Sequence, residues 1–510
     1  MTQLVRPLIP GAVAGVTSAG FGLAVAQLVA ATSQRFRSPV IDVGDRVVDR
    51  VPVPVKDLAI SWFGTNDKIA LLIGIASVLA IYSAGLGVLA LRDRLMMALV
   101  GVSIFGLAGS AAALGARTGT DWIAPLPSLI GATVAGFSLV ALAGMYSASA
   151  TGPAAAGGSR RQFLLGLWGL AIGAGGLAAG ASRWSSRFSA AGSRSAIGFP
   201  APARVLEPIP AAASAEGAAP LFTSNAEFYR IDTALSVPQV PAESWTLTIK
   251  GMVDREIVVT YAELLERDLI EADITLTCVS NTIGGDLIGT ARWLGVRLDD
   301  LLDEAGIQSG ADQVVGRSVD GYSCGFPVAA LDGRDALIAV AMNGEALPIE
   351  HGFPARLIVP GIYGYASATK WLSEIELTTY DAFDHYWVPR GYAAMAPIKL
   401  QSRIDSPRGL DRIAAGPFAI GGVAWAQTIG IDAVEVKIDD LDWQPANLAD
   451  EVNNTTWRQW SLPWDATPGR HTISVRATDR NGQVQTDERA EPLPNGASGR
   501  HTVVVLVDEA

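Results

Sequence analysis

Apolar and polar positions are spread so unevenly along this chain that its two halves follow different rules. Before about residue 182, near-unbroken apolar runs cover 8–31, 69–91, 95–116, 129–146 and 163–181. Each approaches the twenty or so helical residues needed to cross a hydrocarbon layer of roughly 30 Å, so the pattern predicts about five transmembrane helices. The first and last are rich in Gly and Ala, which leaves an interfacial segment or a processed signal as the alternative for either. Farther on the apolar runs shorten. Those at 245–249, 257–260, 274–277, 355–359 and 375–377 read as strands, with helix candidates at 261–267 and 298–305, a pattern that predicts a mixed α+β domain. From about Pro397, β-branched and partly alternating runs at 433–438, 471–477 and 501–507 lie between Asp, Gly and Pro turns and predict a β-sandwich. Trp425, Trp443, Trp457, Trp460 and Trp464 fit its core, a carbohydrate-binding platform being the alternative.

A Ser/Arg stretch and then Pro200, Pro202, Pro208 and Pro210 separate the halves and predict an extended linker. The expected organisation is a transmembrane region over 1–182, a linker over 183–219, an α+β domain over 220–396 and a β-sandwich over 397–510.

Composition agrees with a membrane portion: only 17% of the 510 residues are charged, and 54 are glycine. The formal charge of −12 argues against nucleic-acid binding. Arg92, Arg94 and the Arg160–Arg161 pair fall on one side of a five-span arrangement, which the positive-inside rule makes cytoplasmic. The loop facing the other way carries Arg35, Arg37, Arg46, Arg50 and Lys56 together with Asp42, Asp45, Asp49 and Asp57. Ser159-Arg160-Arg161-Gln162-Phe163-Leu164-Leu165 resembles a twin-arginine export signal, an ordinary cytoplasmic anchor pair being the alternative. The expected location is the cell membrane, multi-pass, with everything after Ala181 on the extracytoplasmic side.

The chain has two cysteines, and Cys278 lies between a β-rich run and Gly284-Gly285. A thiolate is a soft metal ligand; a buried structural thiol and a disulfide with Cys324 are the alternatives. No Cys/His cluster favours zinc, iron–sulfur or c-type haem. His351, His385, His471 and His501 all follow the apolar spans, so a bis-histidine haem cannot be built within them.

The segment from Thr277 reads Cys-x-x-Asn, a glycine pair, then Ala291-Arg292-Trp293-Leu294-Gly295-Val296. Downstream come Asn343-Gly344-Glu345, His351-Gly352-Phe353-Pro354-Ala355-Arg356, Tyr363-Gly364 and Lys370-Trp371. Together, from about Phe222 onward, these motifs resemble the sulfite oxidase family of molybdopterin-dependent oxidoreductases. The resemblance implies that Cys278 ligates molybdenum and that His351, Arg356, Thr369 and Lys370 hold the molybdopterin. Asp320, Asn225, Phe228 and Tyr229 match further pterin-contacting positions, and no haem is expected within the chain. Tyr392 matches an active-site tyrosine beside the metal's oxo group, with Arg390 able to add charge to the same pocket. The C-terminal β-sandwich resembles the family's immunoglobulin-like dimerisation domain, which implies a homodimer.

Two departures bear on substrate. Ser224 replaces the arginine of a Phe-x-x-Arg-Asn pattern, and Thr282-Ile283 replaces an arginine pair after Cys-x-x-Asn. Guanidinium groups fix small oxyanions bidentately, so their replacement makes a neutral sulfoxide as plausible a substrate as sulfite. The expected activity is oxygen-atom transfer on a small sulfur-containing or related molecule, with Mo(VI)/Mo(IV) cycling at a membrane-anchored enzyme. An external cytochrome or a haem membrane subunit is the expected electron partner. A metal-free surface binding or assembly protein retaining the fold is the alternative from another class.

Overall fold

The computed structural model of the chain describes residues 8–52, 55, 62, 67–117, 121–150 and 158–509; Lys56 and Asp57 lie outside the described residues. The chain forms two compact units, Met1–Ser189 with Ala234–Val237, and Ala190–Thr233 with Pro238–Ala510.

Among the described residues, six helices build the first unit: α1 (Leu8–Ala30), α2 (Pro39–Arg50), α3 (Asp67–Leu91), α4 (Leu95–Leu114), α5 (Leu126–Ala150) and α6 (Gly158–Ser185). All but α2 are long and apolar enough to cross a membrane, which makes five. Small residues set how they pack. A Cβ at Gly15 would lie 1.9 Å from Ser83 O, and one at Gly87 would lie 2.0 Å from Gly11 O, so α1 and α3 meet backbone to backbone. Helices in lipid gain little from apolar burial, and close backbone approach of this kind is what favours their association there. The charged run after α1 is largely helix α2, and its charges pair: Arg37 with Asp45 at 2.5 Å and Arg117 with Asp49 at 2.7 Å. The 159–165 arginine run opens α6.

The second unit opens with α7 (Ala191–Ala196) and an extended run before β1 (Thr246–Gly251), β2 (Ile257–Thr260), α8 (Tyr261–Leu265), β3 (Leu269–Thr277), β4 (Ile288–Arg297) and α9 (Leu298–Ala305). There follow β5 (Gln313–Ser318), β6 (Ser323–Pro327), β7 (Leu337–Met342), β8 (Glu345–Ala346), β9 (Arg356–Ile358), α10 (Gly364–Ser367) and β10 (Leu372–Thr378). One sheet runs β3-β4-β7-β8 with β9 on β7, and another runs β2-β1-β10-β5-β6. Both contribute to a single core with α9, in which Trp293, Leu247, Ile338 and Leu301 are fully buried. Fully burying one such side chain stabilises by about 1.5–3 kcal/mol.

The proline-rich segment is extended, as composition predicts, yet it is fastened along its length. Ala203 N–H donates to Leu269 O at 2.7 Å, Ala215 N–H to Gln459 Oε1 at 2.7 Å, and Ala219 N–H to Asp405 Oδ2 at 2.9 Å. Proline removes its own donor but leaves the alanine amides between free to bond.

From residue 401 come β11 (Gln401–Ser406), β12 (Arg412–Ala414), β13 (Gly416–Trp425), β14 (Ile431–Ile438), β15 (Gln444–Pro445), β16 (Asn447–Leu448), β17 (Arg458–Ala466), β18 (Gly469–Asp479) and β19 (Thr502–Asp508). Sheets β11-β13-β17-β16 and β12-β19-β18-β14-β15 share a core of Ile420, Trp460, Val436, Val475 and Val505. Trp425 and Trp457 instead form a second cluster with Ile288 at the root of β4.

Gly295 lets β4 lie against β7: a Cβ there would come 2.4 Å from Ile338 O and 2.7 Å from Ala339 Cα, both main-chain atoms. Gly295→Ala is expected to cost about 1–3 kcal/mol by forcing the two strands apart. A lowered thermal unfolding midpoint checks this; an unchanged midpoint counts against it.

Candidate cofactor site

The long β3–β4 hairpin carries Cys278 at the first position of its loop. Its nine-residue register runs from Leu269↔Val296 to Thr277↔Ile288, and Cys278 N–H closes the loop onto Leu287 O at 2.9 Å. Asp273 and Arg292 face each other across the strands and pair twice, at 2.8 and 2.9 Å. The Ala-Arg-Trp-Leu-Gly-Val motif is thus β4 itself. Farther along the loop, Asn281 Oδ1 accepts from Leu287 N–H at 3.0 Å and Arg403 Nη1 donates to Gly285 O at 2.9 Å. The His501 ring lies against Gly284, whose φ of +74° and lack of a Cβ the contact requires. Cys278 and Cys324 are both buried free thiols, so the disulfide alternative falls. Burial pushes the Cys278 thiol up, and hydrogen bonds from Ser280 oppose it.

A cleft of about 740 Å³ opens beside Cys278. Of the residues predicted from sequence, Phe228, Tyr229, Cys278, Asp320, His351, Arg356 and Lys370 line it. Five different chain segments supply them: the approach to β1, the β3–β4 loop, the β5–β6 turn, the 349–356 segment and the stretch after α10. At Gly352, φ is +113° and a Cβ would lie 3.0 Å from Lys370 Cα, so the glycine brings His351 and Lys370 close.

The cations are the chemically telling part. Arg356 is 5% exposed, its Nη1 donates to His351 O at 3.1 Å, and its Nε is buried without a hydrogen-bond partner among the described residues. Burial pushes this guanidinium down to about 10. His351 falls to about 4, first through burial and then through the charges of Arg356 and Lys370; its Nε2 lies 3.1 Å from Asn225 O. Lys370 Nζ pairs with Asp232 Oδ2 at 2.8 Å. A buried guanidinium with a donor to spare, beside a second cation, is a site built for an anion. Tyr229 is held protonated by burial and then by the proximity of Cys278, with Arg356 opposing, so it remains a hydrogen-bond donor.

Four predicted residues stand behind the wall. Asn225 organises it: its amide donates to Met342 O at 3.2 Å and to Glu345 Oε1 at 2.6 Å, and it accepts from Asn343 at 2.9 Å. Thr369 is fully buried and donates to Cys324 Sγ at 3.0 Å. Tyr392 packs its ring against Tyr365 and Trp387, 5.4 and 5.2 Å away, and those two do line the cleft. Arg390 lies over the Tyr386 ring at 3.6 Å and donates to the Tyr386 carbonyl. The 3₁₀ turn Val388–Arg390, closed by Gly391 at φ +94°, directs Arg390 to that ring.

The sequence motifs did not single out Tyr365, Ile231 or Asp232, nor give Tyr322 and Trp387 a role, yet all five are on the wall. Tyr322 adjoins Asp320 in a turn where Tyr322 N–H donates to Asp320 Oδ1 at 3.1 Å, and its hydroxyl donates to Tyr365 O at 2.6 Å. The Ser-Val-Asp-Gly-Tyr run was the available signal.

Replacing Arg356 by Met removes an uncompensated buried charge while keeping volume. The anion-free protein is expected to melt no lower than wild type, while anion retention falls at least about tenfold. A variant that melts lower and keeps its anion would contradict this reading.

Comparison with known proteins agrees with the geometry. The model of the oxidoreductase molybdopterin binding domain matches residues 234–387. Human mitochondrial sulfite oxidase is 28% identical over 303 residues, which cover 50% of this chain and 55% of that protein. The uncharacterized oxidoreductase YuiH of Bacillus subtilis is 30% identical over 148 residues, 29% of this chain and 72% of that one. The sulfane dehydrogenase SoxCD of Paracoccus pantotrophus shares the fold with a TM-score of 0.50 at 23% identity, covering 57% of this chain and 85% of that one. The chain spans about half the length of the mammalian sulfite oxidases it matches. With its cysteine loop, its buried cations and these likenesses, the chain belongs to the sulfite oxidase family of molybdopterin-dependent oxidoreductases.

Proposed function

We propose that the protein is a membrane-anchored oxidoreductase that transfers an oxygen atom to or from a small, uncharged sulfur compound, a sulfoxide in the reductive direction. Molybdopterin fits the residues present: Arg356 offers an orphaned buried donor to its phosphate, with His351 and Lys370 beside it, and the Cys278 thiol reaches the same cleft. When bound, the group supplies molybdenum with its Mo(VI)/Mo(IV) electron pair. Tyr229 keeps its hydroxyl proton near Cys278 and so offers a hydrogen-bond donor there, and Tyr322 and Tyr365 shape the space next to it. Tyr392 and Arg390 act as positioning residues, bracing Tyr365 and Tyr386 from behind.

The observation that carries the substrate reading is the make-up of the cleft wall. Beyond Arg356 and Lys370 it is lined by Tyr229, Tyr322, Tyr365, Trp387 and Ile231 together with the acids Asp232 and Asp320, and by no further guanidinium among the described residues. A sulfite anion entering against an aromatic wall without its own guanidinium leaves part of its charge unpaired, at a cost a neutral sulfoxide avoids. Sulfite oxidation is the second reading, favoured by the likeness to sulfite oxidases.

The apolar helices α1, α3, α4, α5 and α6 suit an anchor, and the arginine run opening α6 suits export of the chain beyond Ala181 to the extracytoplasmic side. The paired sheets after residue 401 suit an immunoglobulin-like dimerisation domain. Electrons would pass singly to or from a separate cytochrome or haem membrane protein.

Purified, molybdenum-loaded protein is expected to reduce sulfoxides with a reduced dye at a kcat/KM at least about tenfold above its sulfite oxidation with an artificial acceptor, a difference of about 1.4 kcal/mol in transition-state stabilisation. The reverse ratio establishes the second reading. Cys278→Ser is expected to abolish both activities and to lower bound molybdenum; a variant that keeps its metal and activity refutes the assignment.

A further inference from the structure

Resting on the reading that the cleft holds a molybdopterin phosphate, we propose that Asp232 is a positioning residue for that anion: its carboxylate keeps Lys370 charged and in place, and Arg230 tunes how strongly it does so. Nothing in the sequence motifs singled out Asp232. In the fold its Oδ2 lies 2.8 Å from Lys370 Nζ and 3.0 Å from Arg230 Nε, so one carboxylate oxygen serves a buried ammonium and a guanidinium 41% exposed. The Asp232 side chain is 4% exposed and that of Lys370 10%. Glu350 O accepts a second Lys370 hydrogen bond at 3.0 Å, and the ammonium lies 4.9 Å from the centre of the Trp371 ring. The lysine thus has a fixed direction, toward the group of His351 and Arg356.

An ammonium withdrawn from water tends to lose its proton, and a neutral amine brings no charge to a phosphate. Burial is the largest influence on Lys370 and pulls it down to about 8; Arg356 and Arg230 pull the same way, and Asp232 opposes them. His351 faces the same two cations and is held neutral by burial first and by them second, so it adds no positive charge near neutral pH. The lysine's charge is present below its own pKa and lost as pH rises through it. Removing Asp232 moves that loss to lower pH; removing Arg230 moves it to higher pH. A merely structural role for the pair would not give opposite signs.

The test uses the full-length, cofactor-loaded protein, incubated across neutral to alkaline pH, separated from released small molecules, and assayed for retained molybdenum and for pterin by fluorescence after oxidation. Asp232→Asn is expected to lower the pH of half-release by about one unit, which is about tenfold weaker retention near the wild-type midpoint. Arg230→Gln is expected to raise it. In the Asp232→Asn background, Lys370→Arg is expected to restore retention, because a guanidinium in the same surroundings keeps its proton to higher pH than an ammonium. Identical release curves for wild type and Asp232→Asn, or a double variant that releases as readily as Asp232→Asn, would overturn the proposal. If Asp232→Asn does not fold, Arg230→Gln alone decides, and an unchanged or downward shift overturns it. Wild-type protein that carries no molybdopterin at all would instead fail the cofactor reading.

Discussion

Placing positive charge where water cannot reach it is the constraint on which the second unit depends. Arg356 is buried with a donor left over, and Lys370 is buried with Asp232 holding the proton that burial would remove. A fold normally avoids this arrangement, since a desolvated unpaired cation costs several kcal/mol. It persists here because β9 fixes Arg356 in the sheet and the turn at Gly352 fixes His351 and Lys370 next to it. Charge held this way weakens the protein on its own and would become binding energy on the arrival of an anion.

The cysteine is held by a different logic. Its loop takes hydrogen bonds from within, through Asn281 and Leu287, and from the C-terminal sheets, through Arg403 and the packed ring of His501. Thr275 of β3 is tied to the same region: its hydroxyl accepts from Trp457 N–H at 2.8 Å, and its amide donates to Thr455 O at 3.0 Å. The C-terminal sheets therefore act on the site directly, whatever else they do.

What the sequence made legible tracks the strength of each local signal. The apolar runs marked the long helices within a few residues, because a span needs nothing beyond length and composition. Strands β1, β2, β10, β14, β18 and β19 also showed, through β-branched runs. Strands β5, β6 and β7 did not: Leu337–Met342 is buried on both faces and has no alternation to read, and Ser323–Pro327 carries Cys, Gly and Pro. In the site, motif positions located Cys278, His351, Arg356 and Lys370, whereas Tyr365, Trp387 and Asp232 reach the cleft only through tertiary packing. Tyr392 shows the converse, a motif position that folding sets one layer back. No local pattern encodes which side of Tyr365 it will pack on.

The fastened segment before β1 alters where the molecule can be cut. Arg194 pairs with Glu345 at 2.9 Å and donates to Leu347 O, Ser193 Oγ accepts from Ala242 N–H, Arg204 bridges to Ile270, and Gln459 clasps Ala219 O. Composition alone invites a boundary at residue 220, but a protease or an engineer cutting there would strip a strap from both the α+β sheets and the C-terminal sheets. A fragment that keeps this unit's own contacts has to begin by Ala190.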